Sequence, residues 1–166
     1  MFEQRLNDPS VSSLRQDDAR NSIEVIRCLM GMTNQLGGYN FAVAPRQQSK
    51  VIIEGLEISI RADLLVSGTS RLGKSVHGAA VLRMTQSAET EAGKAKRQTM
   101  GQYVAALTRY HAETHLFGAA DEIASKLCMS IDIQHGEVFT APSSTTRMMN
   151  DVASACQFIV ALWPSV

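Results

Sequence analysis

Two periods run through the apolar and polar positions of this chain. Residues 56–66, LEISIRADLLV, alternate. Leu56, Ile58, Ile60, Ala62, Leu64 and Val66 share one side of an extended chain, and Glu57, Ser59, Arg61 and Asp63 the other, until Leu65 breaks the rule. A strand greasy on one side suits an antiparallel or mixed sheet, because a central parallel strand is apolar on both. Gly55 marks a bulge or turn just upstream, so KVIIE is a separate strand or the same one bent. YNFAVAP reads as a short strand closed by Pro45, with RQQSK as a polar connector, and HGAAVLRMT fits strand or helix.

The other period is helical. Ile23, Ile26, Met30 and Thr33 recur at three and four residues, predicting a helix from Ser13 to Leu36 that stops at Gly37 and Gly38. Residues 87–118 predict a long helix, with Glu89 and Glu91 early, bases after them and Gly118 as its stop. Its expected buried stripe is Met100, Tyr103, Val104, Leu107, Tyr110 and His111. KLCMSIDIQHGEVFTAP predicts a hairpin turning at His135–Gly136. Residues 143–163 predict a serine-capped helix that buries Met149, Val152, Cys156, Ile159 and Trp163. The expectation is a flexible segment over 1–14 and one α/β (α+β) domain over 15–166. Its mixed or antiparallel central sheet is flanked by helices, in the order α-β-β-β-α-β-β-α.

Composition narrows the classes. The 166 residues suit one core. Sixteen basic and sixteen acidic residues cancel, so the chain lacks the positive field of a protein that coats nucleic acid. No apolar signal core opens the sequence, and FIVALW is far short of the ~20 residues a membrane span needs. Cys28, Cys128 and Cys156 are scattered among apolar neighbours, the pattern of free thiols in a reducing compartment. The expected location is the cytoplasm.

GTSRLGKS, residues 68–75, fits the phosphate-loop pattern G-x-x-x-x-G-K-[ST] letter for letter. In a working loop, amides around Gly68 and Gly73 cradle phosphates, Lys74 reaches the outer ones and the Ser75 hydroxyl binds magnesium. Mg2+ with ATP or GTP is then the implied cofactor. That reading needs a helix opening at Lys74, on a parallel sheet. The residues that follow put Gly78 in the first turn of such a helix, where glycine is ~1 kcal/mol worse than alanine. LCMSID, ending at Asp132, imitates the second magnesium motif but lies on a strand that turns straight back. The preferred reading is a polar hairpin loop with Arg71 and Lys74 in water.

Asp63 carries the other candidate chemistry. With HGAAVLRMT as the next strand of a hairpin, the order helix–strand–strand–strand–helix–strand over about residues 15–135 resembles the core of the PD-(D/E)XK nuclease superfamily, including its RecB-like exonucleases. The resemblance implies an aspartate ending the second strand and an acid-x-lysine triplet on the third, together holding magnesium and activating water on a phosphodiester. Asp63 matches the first position. Leu82 and Met84 stand where the carboxylate and lysine belong, and a shift to Val81 and Arg83 supplies no acid. The RecB-like Q-x-x-x-Y finds Gln98 and Tyr103 one residue too far apart. The resemblance therefore implies a degenerate member, and for Asp63 itself a surface pair with Arg61 is the preferred reading.

His111 and His115 share one helix face at a metal-gripping spacing, with His77, His135 or Cys128 as conceivable third ligands. They also suit the negative end of a helix simply as cations. KAKR, residues 94–97, follows acids three and four residues earlier, so a solvated, paired face is expected, with phosphate contact as the functional alternative. The reading that results is a non-catalytic binding or accessory protein, associated with a protein partner or nucleic acid. A nucleotide-binding protein or metal-dependent hydrolase is the alternative, and an oligomer through the last helix a third.

Overall fold

The computed structural model describes residues 2–85 and 90–163. The fold is mixed α/β. Helices α1 (Phe2–Leu6), α2 (Ser13–Gly31) and α3 (Thr33–Leu36) lead into strand β1 (Asn40–Val43). Next come a small hairpin, β2 (Val51–Ile53) and β3 (Leu56–Ile58), and then β4 (Leu64–Thr69) and β5 (Ser75–Arg83). Helix α4 (Glu91–His111), β6 (Met129–Asp132), β7 (Glu137–Thr140) and α5 (Thr146–Leu162) complete the chain. The main sheet runs β1-β4-β5-β6-β7, antiparallel throughout except for the parallel pair β5–β6 that α4 connects.

Two helical layers cover this sheet. Met32 of the α2–α3 joint packs with Val66, Val76, Ala80, Met129 and Ile131 on one face. On the other, α4 lays Ala105 against Ala79, Cys128 and Ala141, with Ala112 just past its end. Outside α4, Leu107 and Tyr110 meet Val51, Ile53, Ile60 and the first half of α5. A helix with structure on two sides needs two unlike faces. Gly101 supplies the extreme case, since a Cβ there would fall within the Phe139 ring.

Several expectations change. Residues 56–66 are two strands in two sheets, because the chain leaves the β2–β3 hairpin at Ile58 and enters the main sheet only at Leu64. KVIIE contributes a separate strand, turned into β3 by Glu54 and Gly55 at positive φ. The first helix breaks at Met32, and the leading segment carries α1, which packs on α2. On α4 the sheet-facing residues are Arg97, Gly101, Ala105 and Thr108, while Met100 is 53% exposed. Size misled the expected stripe: the tightest face is built from the smallest side chains. The helix is capped by Thr90, whose hydroxyl accepts from Gly93 N–H at 3.1 Å, and ends in a π-turn over Ala112–Leu116, before Gly118. Glu89 lies outside the described residues. The hairpin at Gly136, with φ +62°, stands as expected. Among the described residues no helix is long and apolar enough to cross a membrane.

The Gly101–Phe139 contact gives a direct test. Gly101→Ala should cost about 1–3 kcal/mol in urea denaturation even though alanine is the better helix former. Phe139→Leu in the same chain should return part of that loss. Gly31→Ala, whose Cβ meets nothing within 4 Å, should be neutral or stabilising.

Candidate functional site

The phosphate-loop letters fall on the β4–β5 hairpin. Gly68 pairs with Val76 and Thr69 with Ser75, leaving 70–74 as the turn. Gly73, at φ +76°, donates its N–H to Ser70 C=O at 3.0 Å, and Lys74 N–H reaches Ser70 Oγ at 3.1 Å. The amides of Ser70, Gly73 and Lys74 are thus bonded within the turn. Ser75 opens a strand, its hydroxyl 3.3 Å from His77 Nε2, and Lys74 points into solvent. Residues 68, 73, 74 and 75 sit together in sequence order without forming a helix N-terminus.

Asp63 does different work from its expected pairing with Arg61. Register sets Leu64 opposite Ala80, yet Asp63 N–H also donates to Ala80 C=O at 2.9 Å. Two residues therefore face one, which is a β-bulge. The bulge would leave the Leu82 N–H without a backbone acceptor. Asp63 Oδ2 takes its place at 2.7 Å and carries the ladder onward. Arg61 instead donates to Arg46 C=O at 3.3 Å. Asp63 stands at the start of β4 rather than at a strand end. The Leu82 side chain lines an apolar groove, and Met84, two residues on, is exposed. Glu57 is held by Lys50 at 2.6 Å and Glu54 by Gln157 at 2.9 Å, both away from Asp63.

The histidines part company. His111 is fully buried, and its Nε2 lies 3.0 Å from Gln48 Oε1. That oxygen also accepts from Ala62 N–H, while Gln48 Nε2 donates to the Pro45 and Ala62 carbonyls. The amide orientation is fixed by these bonds, so the neutral imidazole carries its proton on Nε2 and spends it on Gln48. Burial, and then the charge of His115, push the His111 pKa below its ordinary value. His115 is exposed, its ring edge-on to His111 at 5.5 Å. His77 stacks on Phe117, and burial drives the Cys128 thiol up to about 11. Among the described residues no three His, Cys, Asp or Glu side chains gather as a ligand set. Tyr103 donates to Asp151 at 2.5 Å, tying α4 to α5, while Gln98 is exposed.

One cluster was missed. Register sets Arg83 of β5 opposite Asp132 of β6. Arg83 Nε donates to Ser130 Oγ at 2.6 Å, and its guanidinium lies 3.8 Å from Asp132 Oδ2 and over the Phe139 ring. Asp132, fully buried, has its other oxygen 3.1 Å from His135 Nδ1. Burial alone would raise its pKa, but hydrogen bonds from His135 and Thr85 outweigh that and hold it below the ordinary range. Beside it Arg97, also buried, bonds Glu137 at 3.1 Å. The signal lay in the sequence: AAVLR and MSID are apolar runs that end in opposite charges. Asp132 thereby belongs to a strand-register pair, since a one-residue slip of β6 would part it from Arg83.

No family model, curated protein or solved structure matches this chain.

Four variants separate structural wiring from catalysis. Asp63→Ala should cost about 1 kcal/mol, and Asp63→Asn, which keeps an acceptor, should recover most of it. Asp132→Ala leaves the largely buried Arg83 guanidinium without its carboxylate, an expected loss of about 3–5 kcal/mol. His111 binds its proton less readily folded than unfolded. Its contribution is therefore complete above the unfolded pKa of 6.5 and is lost as pH falls toward the folded value. Melting temperature against pH should show that limb in the parent chain and lack it in His111→Gln.

Proposed function

We propose that this chain is a non-catalytic binding protein: a nuclease-like α/β core that docks an apolar partner surface on the end of α5. With α3 and the β2–β3 hairpin set aside, the order α2, β1, β4, β5, α4, β6 lends this reading its support. The position that would hold metal instead completes a backbone ladder, and Leu82 and Met84 stand at the positions where the resemblance calls for an acid and a lysine.

The observation that carries the reading is the outer half of α5. Phe158, Leu162 and Trp163 are 66%, 65% and 76% exposed, and Ile159 and Val160 accompany them. Residues 152–163 contain no charge. Expected to bury Ile159 and Trp163, this helix buries only Cys156 fully and half-buries Met149 and Val152. Large contiguous apolar patches mark interaction sites. Nucleic acid is the weaker partner, because Arg97 of the KAKR cluster is committed to Glu137 and only Lys94 and Lys96 face solvent.

A photo-reactive side chain at Leu162, introduced in the native cell, tests both halves. A protease-sensitive adduct, absent when the same group replaces exposed Glu122, is expected. A nuclease-sensitive adduct, or none, would overturn the reading. In parallel, Mg2+ with ATP or GTP should leave the melting temperature unchanged. A rise abolished by Lys74→Ala or Asp63→Ala would restore the enzyme.

A further inference from the structure

The edge strand β1 raises a separate question. All four of its residues are exposed, and Val43 is 82% exposed. The hydrogen bond from Ala44 N–H to Asp63 C=O, 3.0 Å, sets the phase of the β1–β4 ladder. Counting back in the register, Ala42 and Asn40 aim their backbone groups at β4, and Phe41 and Val43 aim theirs outward. The free edge stops there on both sides. Pro45 has no N–H to offer, and the Tyr39 N–H is bonded to Leu36 C=O at 3.2 Å. Sheet edges are ordinarily blunted by charge, proline or cover. Here no charged residue occurs between Arg27 and Arg46.

From this we infer that β1 pairs with β1 of a second copy, antiparallel about a two-fold axis through Ala42. The outward residues sit symmetrically on either side of Ala42, so the strand is its own complement. Phe41 faces Val43 of the other copy in two hydrogen-bonded pairs, which satisfies every outward N–H and C=O that β1 presents. A longer foreign strand would find nothing further to bond. Along the strand itself the first charge from the axis, Arg46 of each copy, comes opposite Gly38 of the other copy. On the α2 side of the sheet, the Phe41–Val43 pairs extend an existing apolar groove of about 330 Å3, lined by Leu29, Leu36, Tyr39, Phe41, Leu64 and Leu82. The two five-stranded sheets become one, with α2 and α3 of both copies on the same side.

The axis makes the test specific. Ala42 faces its own counterpart in a non-hydrogen-bonded pair, with Cα atoms about 4.5 Å apart, within the disulfide range. Mild oxidation of Ala42→Cys should give a covalent dimer of the 18.1 kDa chain on a non-reducing gel. The parent, with Cys28, Cys128 and Cys156, and the off-axis Asn40→Cys should remain monomeric there. In sedimentation equilibrium the parent should dimerise, and Val43→Lys should weaken the dimer at least tenfold with an unchanged circular-dichroism spectrum. Phe158→Ser with Trp163→Ser, at the separate α5 surface, should leave it intact. A monomeric parent, an Ala42→Cys chain that does not cross-link, or a Val43→Lys chain that dimerises like the parent would each overturn the pairing.

Discussion

The close approach of α4 to the sheet is the constraint on which the other contacts rest. A helix normally packs onto a sheet through a layer of large side chains. Against β5, β6 and β7 that layer is nearly absent: Gly101 and Ala105, with Ala112 beyond, meet Ala79, Cys128, Ala141 and the face of Phe139. The same helix turns Leu107 and Tyr110 outward as the floor for β2, β3 and α5. Because α4 also joins the parallel strands β5 and β6, its seating sets the parallel pairing in the sheet. Larger residues on the sheet side would push the helix out and, with it, the hairpin and α5 stacked behind.

A helix buried on two sides brings polar groups with it, and burial without a partner is costly. Most are answered locally, although His111 Nδ1 has no hydrogen-bond partner among the described residues. Thr108 turns its hydroxyl back to Val104 C=O at 2.7 Å, Arg97 finds Glu137, and His111 finds Gln48. Gln48 uses its whole amide to join the β1–β2 connector, Ala62 and α4. Asp63 repairs a bulge, and Asp132 with Arg83 locks the parallel register. Aspartate, histidine and arginine therefore recur at sheet ends for the same reason that they recur in active sites: they satisfy what the backbone and its neighbours leave open. Their presence in a sequence marks demand for a partner, and geometry decides whether that partner is a ligand or the protein.

Much of the fold was legible because amphipathic periods are written one residue at a time. The β4–β5 and β6–β7 hairpins, the placement of the phosphate-loop letters in the first, and the two long helices follow from local signals alone. What was illegible depended on distance in space. Nothing within LEISIRADLLV announces that the chain changes sheets between Ile58 and Leu64, because both sheets bury the same alternating side. Helical periodicity weights large residues, so it selected Tyr103 and Leu107 and overlooked Gly101 and Ala105, which pack tightest. The Arg61 partner for Asp63 was drawn from the alternation itself, whereas the observed acceptor role arises from a bulge that no two-residue period encodes.

The apolar end of α5 has its origin in a mismatch of lengths. Seventeen helical residues extend about 25 Å at 1.5 Å per residue. The β2–β3 hairpin beneath is three residues to a strand, about 10 Å of support. Met149, Val152 and Cys156 occupy that support, and the helix then runs past it. Were the overhang only a spacer, water contact would favour lysine and glutamate there at no cost to the core. The sequence instead places Phe158, Ile159, Val160, Leu162 and Trp163 on the unsupported turns, on more than one face of the helix. A helix apolar around its circumference is stable only when enclosed. Among the described residues nothing encloses this segment, and the partner surface proposed above answers that exposure.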